Sequence, residues 1–164
     1  MNRISAALLA LALAAPLAAC TENETEDFRD VSTFVDGMAV DSDMGAFRVV
    51  LSSDDGDLAV GRNDLIVRVG FHDPSDPSAE GRGVPGADLF LDAWMPGADL
   101  SMQSDVEISY LGDGAYALDN VVLTEAGVWN VDLDIRVGEG MYETVSLAFE
   151  VAEPKTETEH HGHD

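Results

Sequence analysis

Residues 129–151 read WNVDLDIRVGEGMYETVSLAFEV, and this stretch decides the fold. On both sides of its Gly138-Glu139-Gly140 turn, every second residue is apolar. The apolar positions are Val131, Leu133, Ile135 and Val137 before the turn, and Val145, Leu147, Phe149 and Val151 after it. A period of two places one face of a strand in a core and the other toward water. Two such runs around a glycine-rich turn predict a β-hairpin.

The same alternation recurs upstream. Shorter or weaker runs of it occupy residues 47–51, 65–71, 87–94, 106–111 and 115–123. Gly112-Asp113-Gly114, between two of these runs, predicts a second tight hairpin. After the first twenty residues, no helical stripe exceeds two turns. The sequence therefore predicts an all-β fold, an immunoglobulin-like antiparallel β-sandwich of about seven strands.

The first twenty residues, MNRISAALLALALAAPLAAC, have the layout of a secretory signal. Arg3 precedes an apolar run that ends before Pro16, and this run is too short for a bilayer, which needs ~20 residues. Leu17-Ala18-Ala19-Cys20 resembles a bacterial lipobox, which implies cleavage before Cys20 and lipidation of its thiol. The alternative is an ordinary signal with a chance cysteine near the cut.

The lipobox resemblance predicts a location and a membrane partner. An acylated Cys20 would anchor the protein in a bacterial cell envelope, because each buried CH₂ contributes ~0.8 kcal/mol. Thr21 follows the cysteine, which in a Gram-negative host resembles the class sorted to the outer membrane, facing the periplasm. Cys20 is the only cysteine, so the sequence predicts neither a disulfide nor a cysteine nucleophile.

Composition divides the chain into four segments. The predicted segments are a lipoprotein signal peptide (1–19), a lipidated Cys20 with an acidic tether (20–44), the β-sandwich (45–152) and a polar tail (153–164) with histidines. Within the tether, Phe28, Val31, Phe34 and Val35 form a short helix or pack on the domain. The tail has no apolar residue after Pro154.

Charge and motif content exclude several functions. The 164 residues carry 32 acidic and 8 basic side chains, a formal charge of -24, which would repel nucleic acid and anionic lipid. No Gly-x-Ser-x-Gly or Walker loop occurs, and His72 is the one histidine before the tail. Acid pairs of the glycoside-hydrolase kind stay open, since their separation is spatial. We expect a protein that is not an enzyme.

A family resemblance comes from five short motifs. They are Gly61-Arg62-Asn63-Asp64-Leu65, Val84-Pro85-Gly86-Ala87, Trp94-Met95-Pro96, Gly114-Ala115-Tyr116 and Gly127-Val128-Trp129. Over roughly residues 45–152 the chain resembles the YtkA-like/FixH-like family of exported β-sandwich domains, which is similar in build to CopC-type copper-binding domains. Some members of the family are implicated in copper delivery to respiratory oxidases, so the resemblance implies a copper ion as cofactor. The family often follows its Met-Pro with histidines; here Gly97-Ala98-Asp99 follows instead.

Candidate metal ligands lie in two places. Met95 and Met102 flank one loop, and thioether sulfur suits Cu(I). His160, His161 and His163 in the tail can bind Cu(II), Zn(II) or Ni(II) as a peptide does. In the fullest form of this hypothesis the tail folds over and completes a site at Met95 and Met102. The alternative is that the methionines fill gaps in the core.

Other residues carry weaker metal hypotheses. His72 is interpreted as a turn or surface histidine rather than a ligand. Asp54, Asp55 and Asp57 cluster in one turn, and Asp73 and Asp76 in another. Carboxylates suit Ca²⁺, but neither group follows the EF-hand order, and aspartates in turns commonly bond their own backbone.

Two functional hypotheses follow. In the first, the protein is a lipid-anchored envelope β-sandwich that binds or delivers a metal ion, most plausibly copper, to a metalloprotein partner. In the second, it is an interaction or assembly accessory of the envelope with no metal site.

Overall fold

The computed structural model describes residues 29–53, 56–76 and 79–154, and no helix lies within them. Each regular element in this part of the chain is a β-strand. The strands are β1 (Met38–Asp41), β2 (Phe47–Ser53), β3 (Gly61–Phe71), β4 (Asp88–Met95), β5 (Leu100–Ser101), β6 (Glu107–Gly112), β7 (Ala115–Leu123), β8 (Gly127–Val137) and β9 (Met141–Val151).

The strands form two antiparallel sheets. One has the order β1-β2-β3-β7-β6 and the other the order β5-β4-β8-β9. The two hairpins predicted at Gly112-Asp113-Gly114 and Gly138-Glu139-Gly140 are both present, between β6 and β7 and between β8 and β9. The predicted all-β antiparallel sandwich is confirmed, and β1 and β5 add two short strands to the seven that the sequence indicates.

The core lies between the inner faces of the sheets and follows the period of two. In the long β8–β9 hairpin, Leu133 is paired with Val145, and both are buried. Trp129, which opens this pattern, is fully buried and donates its indole N–H to the carbonyl of Glu125 at 2.9 Å. The largest buried side chains of the opposite sheet include Phe47 and Leu118. Removing this apolar surface from water, at about 25 cal/mol per Å², stabilises the sandwich.

The segment assigned to the tether is part of the fold from residue 29 onward. Met38–Asp41 forms β1 beside β2. Phe34 is 5% exposed and packs edge-on against Phe149, with ring centroids 5.7 Å apart. The backbone N–H of Ser32 donates to the carbonyl of Ala148 at 2.8 Å. The boundary predicted at residue 45 therefore needs correction: a short run among acidic residues packs because it borders β9. Residues 20–28 lie outside the described residues.

The strand β6 also differs from its prediction. Alternation of Val106, Ile108 and Tyr110 predicts a face buried in the core. In register, Ile108 lies opposite Leu118 and Tyr110 opposite Tyr116, so both point to the inner side of their sheet. Nevertheless Ile108 is 36% and Tyr110 is 49% exposed. The reason is positional: β6 is the last strand of its sheet, and the facing sheet does not cover it.

The long connection between β3 and β4 is fastened by one buried phenol. The hydroxyl of Tyr116 donates to the carbonyl of Val84 at 2.7 Å and accepts the backbone N–H of Ala87 at 2.8 Å. Close backbone packing supports this fastening, because a Cβ at Gly83 would lie 2.2 Å from the carbonyl oxygen of Asp113. The connection thereby places the start of β4, the strand that carries Trp94 and Met95.

Candidate functional site

The two candidate methionines belong to one hairpin and share its inner face. Met95 is paired with Leu100 across β4 and β5, and Met102 donates its N–H to the carbonyl of Ala93 at 2.7 Å. Met95 and Met102 are therefore diagonal neighbours, a position at which Cα atoms are typically ~7–8 Å apart. Both are partly buried and packed against the core. Long, flexible side chains at this spacing can reach one another.

Met95 lies at the end of the sandwich from which the tail leaves. A Cβ at Gly127 would be 2.8 Å from the terminal methyl carbon of Met95. Gly127 is paired with Val151, the last residue of β9. We call this edge, defined by Met95, Met102, Gly127 and Val151, the methionine end. The described chain stops three residues further, at Pro154; the tail histidines His160, His161 and His163 lie outside the described residues.

The outer face of the same hairpin is covered by an arginine. Trp94 points away from Met95 because successive residues of a strand alternate. The guanidinium of Arg29 lies over the Trp94 ring, 4.9 Å from its centroid. Arg29 Nη1 donates to Asp132 Oδ1 at 2.6 Å, and Nη2 to Asp132 Oδ2 at 3.3 Å. Trp94 therefore faces away from Met95 and contacts the N-terminal segment through Arg29.

Within the described residues, no group of three or more His, Cys, Asp or Glu side chains is arranged to hold a metal ion. His72 lies beside a carboxylate, with its Nδ1 atom 3.3 Å from Asp41 Oδ1. Asp41 also accepts a hydrogen bond from Arg48 Nη1 at 2.8 Å. Cys20, the predicted lipidation site, lies outside the described residues.

Asp73 of the second aspartate turn is hydrogen-bonded within its own turn. Asp73 accepts hydrogen bonds from the hydroxyl of Ser75 at 2.6 Å and from its backbone N–H at 2.9 Å. The hydroxyl of Ser75, followed by its backbone N–H, holds the pKa of the Asp73 carboxyl below its ordinary value. Such a pattern is the usual work of an aspartate in a turn. Asp54 and Asp55 of the other cluster lie outside the described residues.

One buried carboxylate, Glu143, was not predicted from the sequence. Glu143 of β9 is only 6% exposed, since its partner in register is Ile135 and both face inward. Its Oε2 atom accepts the hydroxyl of Ser42, and both carboxylate oxygens accept the backbone N–H of Ala46. The signal was a polar residue at a core position of an alternating strand. Glu143 fastens the β1–β2 turn to the other sheet, so its role is structural.

These features define the class of protein: an all-β sandwich of two antiparallel sheets, in whose described residues no group of three or more His, Cys, Asp or Glu side chains could hold a metal ion. No helix among the described residues is long and apolar enough to cross a membrane.

The family follows from comparison with known families. The YtkA-like family model matches residues 42–134, more than half of the chain, and the chain belongs to this family. The matched span runs from the end of β1 into β8 and leaves β9 outside. The match does not extend to the FixH-like or CopC-type likeness. Neither the curated proteins nor the solved structures gave a match.

Proposed function

We propose that this chain is a lipid-anchored envelope domain that binds copper at the methionine end and passes it to a metalloprotein. The ligands in this proposal are Met95, Met102 and the tail histidines His160, His161 and His163. Thioether sulfur is soft and favours Cu(I), whereas imidazole accepts both copper states. A mixed set of this kind suits a carrier, because the soft and the borderline ligands can exchange one copper ion between them.

The observation that carries the proposal is the shared end of Met95 and the tail. In the four-stranded sheet, β8 alone separates β4 from β9. Neighbouring strands lie ~4.8 Å apart, which puts the end of β9 about 10 Å from β4. An extended chain spans up to ~3.3 Å per residue, so the segment from Ala152 to His160 reaches about 26 Å. The tail is therefore long enough to bring its histidines to the two methionines.

The test is a Cu(I) titration against a competing chelator. Four forms of the chain from Thr21 to Asp164 would be compared: the unchanged form, a form ending at Pro154, Met95→Leu/Met102→Leu, and the control Met44→Leu/Met141→Leu. Methionine-to-leucine exchanges keep side-chain volume and usually cost under ~1.5 kcal/mol. Met44 and Met141 are exposed and away from the methionine end.

We expect stoichiometric, sub-micromolar binding in the unchanged and control forms, and its loss in the other two. Binding that survives truncation but not the Met95/Met102 exchange would place the whole site on the hairpin. Binding that is lost only with the tail would make this a peptide-like scavenging site and remove the methionines from the proposal. Binding unaffected by either change would contradict it, and no binding in any form would favour the accessory module without a metal.

A further inference from the structure

The uncovered side of the sandwich, between the edges of its two sheets, is built as a docking groove. β6 is the terminal strand of the five-stranded sheet, with a neighbour only on its β7 side among the described strands. On the facing sheet, β5 pairs with β4 only at Trp94 and Met95, and the N–H of Met102 bonds the carbonyl of Ala93. The edge of β4 before Ala93 and the edge of β6 thus face the same opening. The groove between them encloses about 400 Å³.

The groove is lined by both apolar and polar side chains, and one of its walls is fixed by hydrogen bonds. Its lining includes Leu89, Phe90, Val106 and Ile108. The wall at residues 103–106 is held by two hydrogen bonds from β7, since Asn120 Nδ2 donates to the carbonyl of Asp105 at 3.0 Å and the N–H of Val122 donates to Ser104 Oγ at 3.2 Å. A groove that is already formed loses little conformational freedom when it is filled.

Every residue of β6 from Glu107 to Leu111 is exposed. A strand at the end of a sheet presents backbone N–H and C=O groups to any further strand. Here the apolar side chains Ile108 and Tyr110 stand beside those groups, on the inner side of the sheet. An added strand would therefore gain main-chain hydrogen bonds and cover apolar surface together, which is the mode of β-augmentation.

Charge decides what fills the groove. Asp92 and Asp105 line the groove, and Glu107 lies beside it at the start of β6; all three are exposed and form no ion pair with a described residue. A second copy would bring the same acids and a formal charge of -24 against them. The chain's own ends, TENETEDF before Arg29 and KTETEHHGHD after Pro154, are acidic as well. Each of these occupants is opposed by like charge.

We propose that the β4–β6 groove binds an extended segment of a partner protein in which basic residues alternate with apolar ones. The segment adds to β6 as a sixth strand of its sheet. Its apolar side chains cover Ile108 and Tyr110, and its basic side chains, on the other face of the added strand, meet Glu107 and the neighbouring Asp105. This inference does not depend on copper, because Met102 is the one residue that the groove shares with the methionine end.

The test uses a synthetic seven-residue peptide that alternates lysine and valine, with a glutamate–valine peptide as the charge control. Binding to the purified full chain would be followed by fluorescence anisotropy at several salt concentrations. Hydrogen exchange would locate the bound strand. We expect the basic peptide to bind, to slow amide exchange in β6, and to weaken as salt rises. The acidic peptide should not bind.

Two variants separate groove binding from general attraction to an acidic surface. Ile108→Ser/Tyr110→Ser removes the apolar contact, and its matched control is Met141→Ser/Tyr142→Ser, at 39% and 50% exposed, on the far edge strand. We expect at least a tenfold loss for the first pair and less than twofold for the second. Asp105→Asn/Glu107→Gln keeps shape and should lower both the affinity and its salt dependence. Thermal melts establish that each variant is folded.

Three results would overturn the inference. Equal binding by the groove pair and its control would mean that the peptide is held by charge alone. Binding without slower exchange in β6 would exclude strand addition. Concentration-dependent dimerisation abolished by Ile108→Ser/Tyr110→Ser, with no peptide bound, would assign the groove to a second copy.

Discussion

Replacing Tyr116 by phenylalanine removes one oxygen atom and keeps the packed ring. In the native protein this oxygen serves two backbone groups, the carbonyl of Val84 and the N–H of Ala87. Val84 and Ala87 are both buried, so neither group gains water when the hydroxyl is lost. An unpaired buried polar group costs about 1–3 kcal/mol; at about 1–2 kcal/mol for each of these two neutral groups, the expected loss in the free energy of unfolding is about 2–4 kcal/mol.

Urea unfolding, followed by tryptophan fluorescence, measures this loss directly. At about 4 °C per kcal/mol for a domain of this size, the same change lowers the melting temperature by about 8–16 °C. The matched control is Tyr110→Phe, because the Tyr110 ring lies 5.1 Å from the Tyr116 ring but its hydroxyl accepts only a long 3.4 Å hydrogen bond near water. We expect the control to lose under about 0.5 kcal/mol. A Tyr116→Phe loss within 1 kcal/mol of the control would refute the reasoning.

Three further predictions concern alkaline pH and two polar contacts. Burial raises the pKa of Tyr116 above its ordinary value of 10.0. The stability that the protonated hydroxyl contributes is therefore complete below pH 10 and is lost as pH rises through the folded-state pKa. The difference in free energy of unfolding between the native chain and Tyr116→Phe should therefore narrow in urea unfolding above pH 10. Arg29→Ala should lower the free energy of unfolding by about 2 kcal/mol, because it loses the ion pair with Asp132 and the contact with Trp94 and leaves Asp132 directly opposite Asp92. In the control Arg62→Ala the lost ion pair is exposed, so urea unfolding should show a loss under about 0.5 kcal/mol. Equal losses in the two variants would show that Arg29 is an ordinary surface charge. Glu143→Ala should lower the free energy of unfolding by about 2–3 kcal/mol, because the Ser42 hydroxyl and the Ala46 N–H lose the carboxylate that accepts them. Glu143→Gln still offers an accepting oxygen and should lose less than half as much. Equal losses by calorimetry would contradict the structural role assigned to Glu143.

Period-two patterns predicted the strands because a strand that is buried on one face has an apolar residue at every second position. The β8–β9 hairpin is the best case, with Leu133 opposite Val145 across a glycine turn. Patterns of this kind record which residues share a face, but not whether another sheet covers that face. Ile108 and Tyr110 therefore read as core and lie at an open edge.

Short segments and pairings across the sandwich carried too little local signal. Phe34 sits among acids, and only its contact with Phe149 shows that it is buried. The lone basic residue of that stretch, Arg29, has its partner Asp132 more than a hundred positions away. For the candidate metal site, the sequence named Met95 and Met102, while their shared face and their position at the tail's exit come from strand register.

The attachment of the N-terminal segment to the last strand has a consequence for biogenesis. Ser32, Phe34, Ser42 and Ala46 all make their contacts with β9, at sequence separations of about a hundred residues. A chain that is still emerging has no β9, so these residues lack their contacts with it, although β1 can already pair with β2. Completion of the sandwich must then wait until β9 has been made, and its many non-local pairings favour folding rates in the millisecond-to-second range. A product that ends at the Gly138-Glu139-Gly140 turn would lack β9, and the N-terminal segment would lose its contacts with that strand. Both ends of the sandwich would then be open to proteases.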